Sequence, residues 1–278
     1  MTTTPELSIV IVSFNTCADL ERCLESLATA PPRTSHDIVV VDNASSDGSI
    51  EMVRRRWPAV RVIAHERNAG FSAANNLGIR ASSGALVLLL NSDCIVPEGA
   101  IDRLIERLRA HPDAAVAGPR LIDGRGTTEV SFGRMITPWA ELRQKALGVA
   151  YERRLGPAVR FVERMAAAER FVDWVSGAAL LVYRADAEAA GLLDERFFLY
   201  TEDVDFCAAI RARGRRILFT PAATITHLRG RSRATVPGAM NAAYRRSQVA
   251  FYEKHHPGWA PLLRIYLRLN GQLPPDES

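Results

Sequence analysis

Residues 85–93 read Ala-Leu-Val-Leu-Leu-Leu-Asn-Ser-Asp, an unbroken apolar run that ends abruptly in an Asx-rich turn. A run without polar alternation suits a strand buried on both faces, as in a parallel sheet covered by helices. The same grammar recurs upstream. Residues 7–14 form another β-rich run, closing on Ser13, Phe14 and Asn15. Residues 37–42 form a further one, followed by Asn43, Ala44, Ser45, Ser46, Asp47 and Gly48, and residues 60–64 add a shorter strand. Between these runs, residues 19–30 place Leu20, Cys23, Leu24 and Leu27 at helical spacing. Residues 48–57 and 71–81 read as helices too, the first behind the capping candidates Ser45, Ser46 and Asp47. Pro97 suits the first turn of a helix reaching about residue 110. This β-α-β-α rhythm predicts an α/β fold with a mostly parallel sheet and flanking helices.

After Pro119 the rhythm breaks. Residues 120–137 predict a loop or hairpin, and 138–170 an Arg- and Ala-rich helical stretch interrupted near Gly156-Pro157. Residues 171–183 return to strand character, 204–213 are helical, and 217–220 and 224–227 read as short strands. Two helices, over 238–256 and 259–269, complete the chain. With 278 residues, 47% of them hydrophobic and 24% charged, the protein can bury a sizeable core, and disordered, collagen-like and disulfide scaffolds are excluded. The apolar runs are too short to cross a bilayer. The opening Met-Thr-Thr-Thr-Pro-Glu has neither the basic start nor the apolar core of an export signal, so a cytoplasmic location is expected. Cys17, Cys23, Cys94 and Cys207 then read as reduced thiols. Net charge is only +4, but arginines concentrate at 134–170, 211–216, 229–233 and near the C-terminus. Such patches are solvated surface or meet phosphates or anionic lipid. No nucleic-acid recognition motif accompanies them, and no nucleic-acid partner is expected.

Ligands of open α/β sheets bind beyond the carboxyl ends of the strands, where three of these polar turns fall. One Asx-rich turn is ordinary turn chemistry; three on one edge predict a shared site. The chain has no G-x-G-x-x-G after a strand and no G-x-x-x-x-G-K-[ST]. Phosphates would therefore be held through a metal.

Further segments stand in a fixed order. Val12-Ser13-Phe14-Asn15 is followed by Val41-Asp42-Asn43-Ala44-Ser45-Ser46-Asp47-Gly48-Ser49, Asn68-Ala69-Gly70-Phe71, Asn75-Asn76-Leu77-Gly78 and Leu90-Asn91-Ser92-Asp93. Then come Trp174-Val175-Ser176-Gly177-Ala178, Phe197-Phe198-Leu199-Tyr200-Thr201-Glu202-Asp203-Val204-Asp205 and His227-Leu228-Arg229-Gly230-Arg231-Ser232. Each is weak alone. In this order, over about residues 8–232, the set resembles the inverting glycosyltransferases of family 2, in particular their rhamnosyltransferase-like branch. The resemblance implies a GT-A fold over residues 5–235, with a Rossmann-like donor half (about 5–120), an acceptor half (about 121–235) and a C-terminal helical extension (236–278). It implies transfer of a sugar, L-rhamnose from dTDP-rhamnose first, onto a hydroxyl of a glycan or lipid-linked glycan. A UDP-sugar, carrying a galactofuranosyl, N-acetylglucosaminyl or similar group, is the alternative, because uracil and thymine present the same imide edge. A sugar nucleotidyltransferase would need a Gly-rich basic phosphate loop, and a non-catalytic nucleotide-sugar-binding module would not need Glu202-Asp203.

The resemblance also assigns roles. Asp42 would accept the imide N–H of the base, though turn or capping chemistry also suits it. Ser13, Asn15, Asn68, Gly70 and Asn75 would complete the nucleotide pocket, with Asn91 near the ribose or a bound water and Arg231 over the diphosphate. Asn91-Ser92-Asp93 stands where the family has its D-x-D motif, and Asp93 would hold Mg²⁺ or Mn²⁺. His227 would be a second metal ligand, or a structural histidine. Asp203 would be the general base, with Glu202 beside it; acids at a helix N-terminus also serve as caps. Trp174, Gly177 and Asp205 would face the acceptor, Trp174 stacking on a sugar or packing in the core. The segment 259–269 mixes aromatic, aliphatic and basic residues, as in a helix lying on the inner face of the membrane or packed on the domain or a second subunit of a homodimer.

Overall fold

Strand β1 (Leu7–Ser13) lies between β2 (His36–Asp42) and β4 (Leu86–Asn91), parallel to both, in a computed structural model that describes residues 4–228 and 237–274. The chain leaves β1 through α1 (Cys17–Thr29) to β2, and through α2 (Ser49–Arg56) to β3 (Arg61–Ala64). It then returns through α3 (Phe71–Ala81) to the other side of β1 as β4. That reversal opens a crevice at the carboxyl ends of β1 and β4.

The rest follows as β5 (Cys94–Ile95), α4 (Ala100–Arg109), β6 (Ala114–Ile122), β7 (Phe132–Gly133), α5 (Pro138–Glu152), α6 (Gly156–Ala166), β8 (Arg170–Val172), β9 (Trp174–Val175), β10 (Ala179–Tyr183), α7 (Arg184–Ala189), α8 (Glu202–Ala212), β11 (Arg216–His227), α9 (Pro237–His255) and α10 (Ala260–Leu269). The main sheet runs β3-β2-β1-β4-β10-β6-β11-β5, with β8 pairing β11. Its β3-β2-β1-β4 half is parallel throughout, and β6 and β11 are parallel to each other, whereas β10, β8 and β5 run antiparallel to their neighbours.

The unbroken apolar runs are explained by cover on both faces. Ile9, Ile11, Leu88 and Leu90 pack into one cluster with Leu20, Leu24, Leu104 and Leu108 of α1 and α4. Val10, Val87 and Leu89 point the other way, into a cluster with Ile79, Phe206, Phe219, Phe251 and Tyr252. α9 therefore shares a core with the sheet.

Three expectations shift in detail. The helix anticipated from Pro97 begins at Ala100, because Gly99 takes a left-handed φ of 68° just before it. The strand expected over 171–183 is three, broken at Asp173 and at Ser176-Gly177-Ala178. The strands expected at 217–220 and 224–227 are one bulged strand, β11, whose register shifts between Thr220 and Thr224 around Pro221. Residues 122–128 form the tip of a hairpin, closed by an Ile122–Thr128 bridge.

Candidate active site

Register alone gathers the polar turns. Ser13 pairs with Asp42, and Val12 with Asn91, so three strand ends lie side by side. β10 runs back along β4, and Asn91 N donates to Ala178 O at 2.9 Å, bringing the Gly177 turn to the same edge. His227, ending β11, pairs with Cys94, while Leu228 N donates to Asp93 O at 2.9 Å.

At the β2 end, Asp42 is 1% exposed. Its Oδ2 accepts from Ser45 N at 2.8 Å, whereas its buried Oδ1 has no hydrogen-bond partner among the described residues. A buried acceptor without a donor is costly unless a ligand supplies one. Asn43, whose motif alone assigns it no role, organises the neighbouring wall. Its Nδ2 donates to Asn68 Oδ1 (2.8 Å) and Gly70 O (3.2 Å), and its Oδ1 accepts from Ala69 N (2.9 Å). Asn15, at φ 51°, accepts from Ser46 N at 2.9 Å and so ties the β1 and β2 turns together. Ser13 is fully buried, its hydroxyl joined to Thr16 and through it to Ser92.

Several expected contacts are scaffold instead. Asn75 is 1% exposed and donates to Phe71 O inside α3. Gly70 is needed for a close approach, but to protein: a Cβ there would meet Phe198 O at 2.6 Å. Trp174 packs in the core and donates from Nε1 to Arg134 O at 2.9 Å, which leaves no open ring face for a sugar. Asp205, expected on the acceptor side, is buried with its oxygens taken by Lys254 (2.8 Å) and His255 (2.6 Å). It anchors α9 to α8. Arg231 lies outside the described residues.

The β4 end carries the metal candidates. Asp93 Oδ1 stands 3.2 Å from His227 Nε2, and Asn91 Nδ2 lies 3.3 Å from the same nitrogen. Asn91 Oδ1 is buried without a hydrogen-bond partner among the described residues. On the far side of the ring, His227 Nδ1 meets Glu129 Oε2 at 3.1 Å. Burial opposes charge on this imidazole, but hydrogen bonds to Asp93 and Glu129 outweigh it and raise its pKa to about 9. A nitrogen and a carboxylate oxygen so close together, with a second carboxylate behind the ring, fit a divalent cation in place of that proton. Cys94 lies within the same cluster. Burial raises its thiol pKa well above the usual value and its Sγ donates to Ala178 O at 3.3 Å, so it stays a thiol unsuited to a hard cation. Nothing in the sequence marked Glu129.

Across the crevice, α8 opens on Glu202 and Asp203. Tyr200 and Thr201, at φ 70° and 64°, precede them in left-handed backbone, a strained pair for residues with a Cβ. Asp203 is partly exposed; Oδ2 accepts from Gly177 N (2.9 Å) and Oδ1 from its neighbour Val204 N (2.8 Å). Desolvation raises its pKa against those two N–H groups. Glu202 is buried, and desolvation, then the Asp203 charge, push its pKa well above the ordinary value. An acid pair with displaced pKa values on a cleft edge is the arrangement of an acid/base site.

The sequence profile of glycosyl transferase family 2 matches residues 8–171. This chain belongs to that family. An N-acetylglucosaminyl-diphospho-decaprenol L-rhamnosyltransferase of Mycobacterium tuberculosis is 31% identical to this glycosyltransferase, over 97% of this chain and 93% of its own. A low-salt glycan biosynthesis hexosyltransferase of Haloferax volcanii is 28% identical over 74% of this chain and 62% of its own. Among solved structures, the mannosyltransferase PcManGT of Pyrobaculum calidifontis, in complex with GDP-Man and Mn²⁺, superposes with a TM-score of 0.62 at 18% identity, over 94% of this chain and 69% of that one. GalNAc-T7 with UDP, GalNAc and Mn²⁺ gives 0.60 at 19%, over 81% of this chain and 43% of that one. The fold is GT-A. Among the described residues, no helix is long and apolar enough to cross a membrane.

Proposed function

We propose that this glycosyltransferase moves L-rhamnose from dTDP-rhamnose onto a hydroxyl of a lipid-linked glycan, with inversion, at the inner face of the membrane. A UDP-sugar is the second reading, because Asp42 meets the same imide edge in either base. The observation that carries the proposal is the carboxyl edge itself, where the orphaned Asp42 oxygen, the Asp93–His227 pair and the Asp203 carboxylate share one crevice. The likeness to the mycobacterial rhamnosyltransferase over nearly all of both chains supports rhamnose and a lipid-linked acceptor.

Asp42 Oδ1 accepts the base N–H, and the Asn43-bound Asn68–Gly70 wall shapes the pocket beside it. Asp93 and His227 would hold Mg²⁺ or Mn²⁺, which when bound neutralises charge on the departing diphosphate. Asp203 takes the proton of the acceptor hydroxyl. The hydroxyl oxygen bonds to the anomeric carbon from the face opposite the nucleotide, and the bond from that carbon to the diphosphate breaks with its electron pair. One displacement inverts configuration and needs no covalent intermediate. Residues 5–120 would serve the donor and 121–235 the acceptor.

Thermal melting with dTDP-rhamnose, UDP-sugars and GDP-mannose, each with and without Mn²⁺ or Mg²⁺, tests the reading. Stabilisation by the thymidine or uridine compounds, increased by metal, is expected. A shift with GDP-mannose alone would remove Asp42 as the base reader.

A further inference from the structure

We propose that α5 is a lipid-docking helix, seating the protein on an anionic bilayer beside the acceptor side of the site. The proposal rests on the lipid-linked acceptor inferred above and names the surface that meets its membrane. No residue of α5 is buried. Trp139 is 70% exposed, Leu142 61% and Val149 48%. Arg143, Ala146 and Arg153 are exposed as well, and the spacing puts all six on one stripe of the helix. Large apolar side chains facing water and interleaved with arginine suit the boundary between headgroups and acyl chains. There, tryptophan and the aliphatic residues enter, while guanidinium groups stay with phosphates.

Away from the stripe, Glu141 and Tyr151 tie the helix to the protein. Glu141 accepts from Gln248 Nε2 at 2.5 Å and Tyr252 Oη at 2.6 Å, and Tyr151 Oη donates to Thr128 O at 2.8 Å. The stripe therefore faces outward from a fixed helix. Residues 134–170 carry eight Arg or Lys against four Glu and no Asp, an excess that complements anionic headgroups. Both ends of α5 also lead to the site. β7, just before it, pairs with β9, which runs into the Gly177 turn beneath Asp203. Thr128, bonded to its last turn, precedes the Glu129 that holds His227. The exposed stripe of α10 (Leu262, Ile265, Tyr266 and Leu269) is the competing surface, but it joins the fold beside α9, through contacts such as Arg264–Glu253.

The test is co-sedimentation of the full chain with vesicles of phosphatidylcholine alone or mixed with phosphatidylglycerol. Wild type is compared with W139E/L142E on α5 and L262E/I265E on α10, alongside transfer to a water-soluble acceptor analogue. Wild type should pellet with the anionic vesicles. W139E/L142E should lose about tenfold or more of that partitioning, with unchanged melting and unchanged transfer to the soluble acceptor. Wild-type binding by W139E/L142E, loss confined to L262E/I265E, or no vesicle binding by wild type overturns the assignment while soluble transfer leaves the proposed reaction standing. A wild-type dimer that W139E/L142E converts to monomer in light scattering also overturns it, giving the stripe to a second copy. Absence of transfer from every thymidine and uridine sugar defeats the proposed reaction instead.

Discussion

At the scale of single residues, Asp203 and Glu202 are adjacent acids with opposite surroundings. Asp203 is held by two backbone N–H groups and reaches solvent, whereas Glu202 is buried beside it. Asp203→Asn should lower transfer by about 10²–10⁴-fold while the melting shift given by donor is unchanged. Loss of the donor shift would move Asp203 into the donor site. Glu202 has a stability consequence. Its folded-state pKa is raised, so folding favours the protonated acid; that stability is present below the unfolded pKa and lost as pH rises through the folded one. Glu202→Gln stays neutral, so its melting temperature relative to wild type should climb with pH, and a pH-independent gap would contradict the burial argument. Glu129→Gln weakens the carboxylate behind His227 and should lower Mn²⁺ affinity about 10–100-fold in calorimetry, with donor-free melting little changed. The placement of Asp42, Asp93 and His227 along one sheet edge was legible because each sits in a motif at a strand end. Glu129 was not, since 98 residues separate it from His227 and only the hairpin brings them together. Trp174, Asn75 and Asp205 show the converse: an indole, an amide or a carboxylate has the same chemistry whether it meets a ligand or the protein, and only packing decides.

At the scale of elements, motif glycines and asparagines prove to be joints. Asn76 donates to Leu193 O at 2.8 Å and accepts from Leu193 N at 3.0 Å, pinning the segment before α8 to α3. Gly78 lets α3 approach β1, since a Cβ there would lie 2.4 Å from Val10 Cγ1 and 3.1 Å from Val41 Cγ2. Both neighbours are β-branched residues of central strands and have little room to yield. Gly78→Ala should therefore cost about 1–3 kcal/mol in urea unfolding despite the better helix propensity of alanine, and a stabilised variant would mean that α3 slides freely on the sheet. The parallel half of the sheet was legible because its apolar runs and helical spacings are local. The division of 171–183 into three strands was not. Asp173 breaks the run by accepting from Met135 N at 2.8 Å and pairing with Arg211, partners that no local pattern announces.

At the scale of the whole molecule, the sequence suggested a transferase domain over 5–235 followed by a helical extension, and the packing bears on how separable these are. Phe251 and Tyr252 of α9 belong to the same cluster as Phe197, Phe206 and Phe219. Lys254 bridges Asp194 and Asp205; burial opposes its charge, but the two carboxylates outweigh that and hold its pKa above the usual lysine value. A chain ending at residue 236 would leave Asp205 without Lys254 and His255 and would uncover the apolar surface that α9 packs against. Losing the burial of Phe251 alone costs about 1.5–3 kcal/mol, and the cluster residues it covers lose burial as well. Against a total stability of about 5–15 kcal/mol, that loss is enough to unfold the domain. The truncated chain should thus be insoluble, or soluble without a cooperative melt. Asp205→Asn in the full chain, which keeps the volume and removes only the negative charge facing Lys254 and His255, should retain a cooperative melt at lower temperature. A truncated chain that melts cooperatively within about 5 °C of the full one would show that α9 and α10 are an appendage. The helix that carries Asp203 would then hold its position without them.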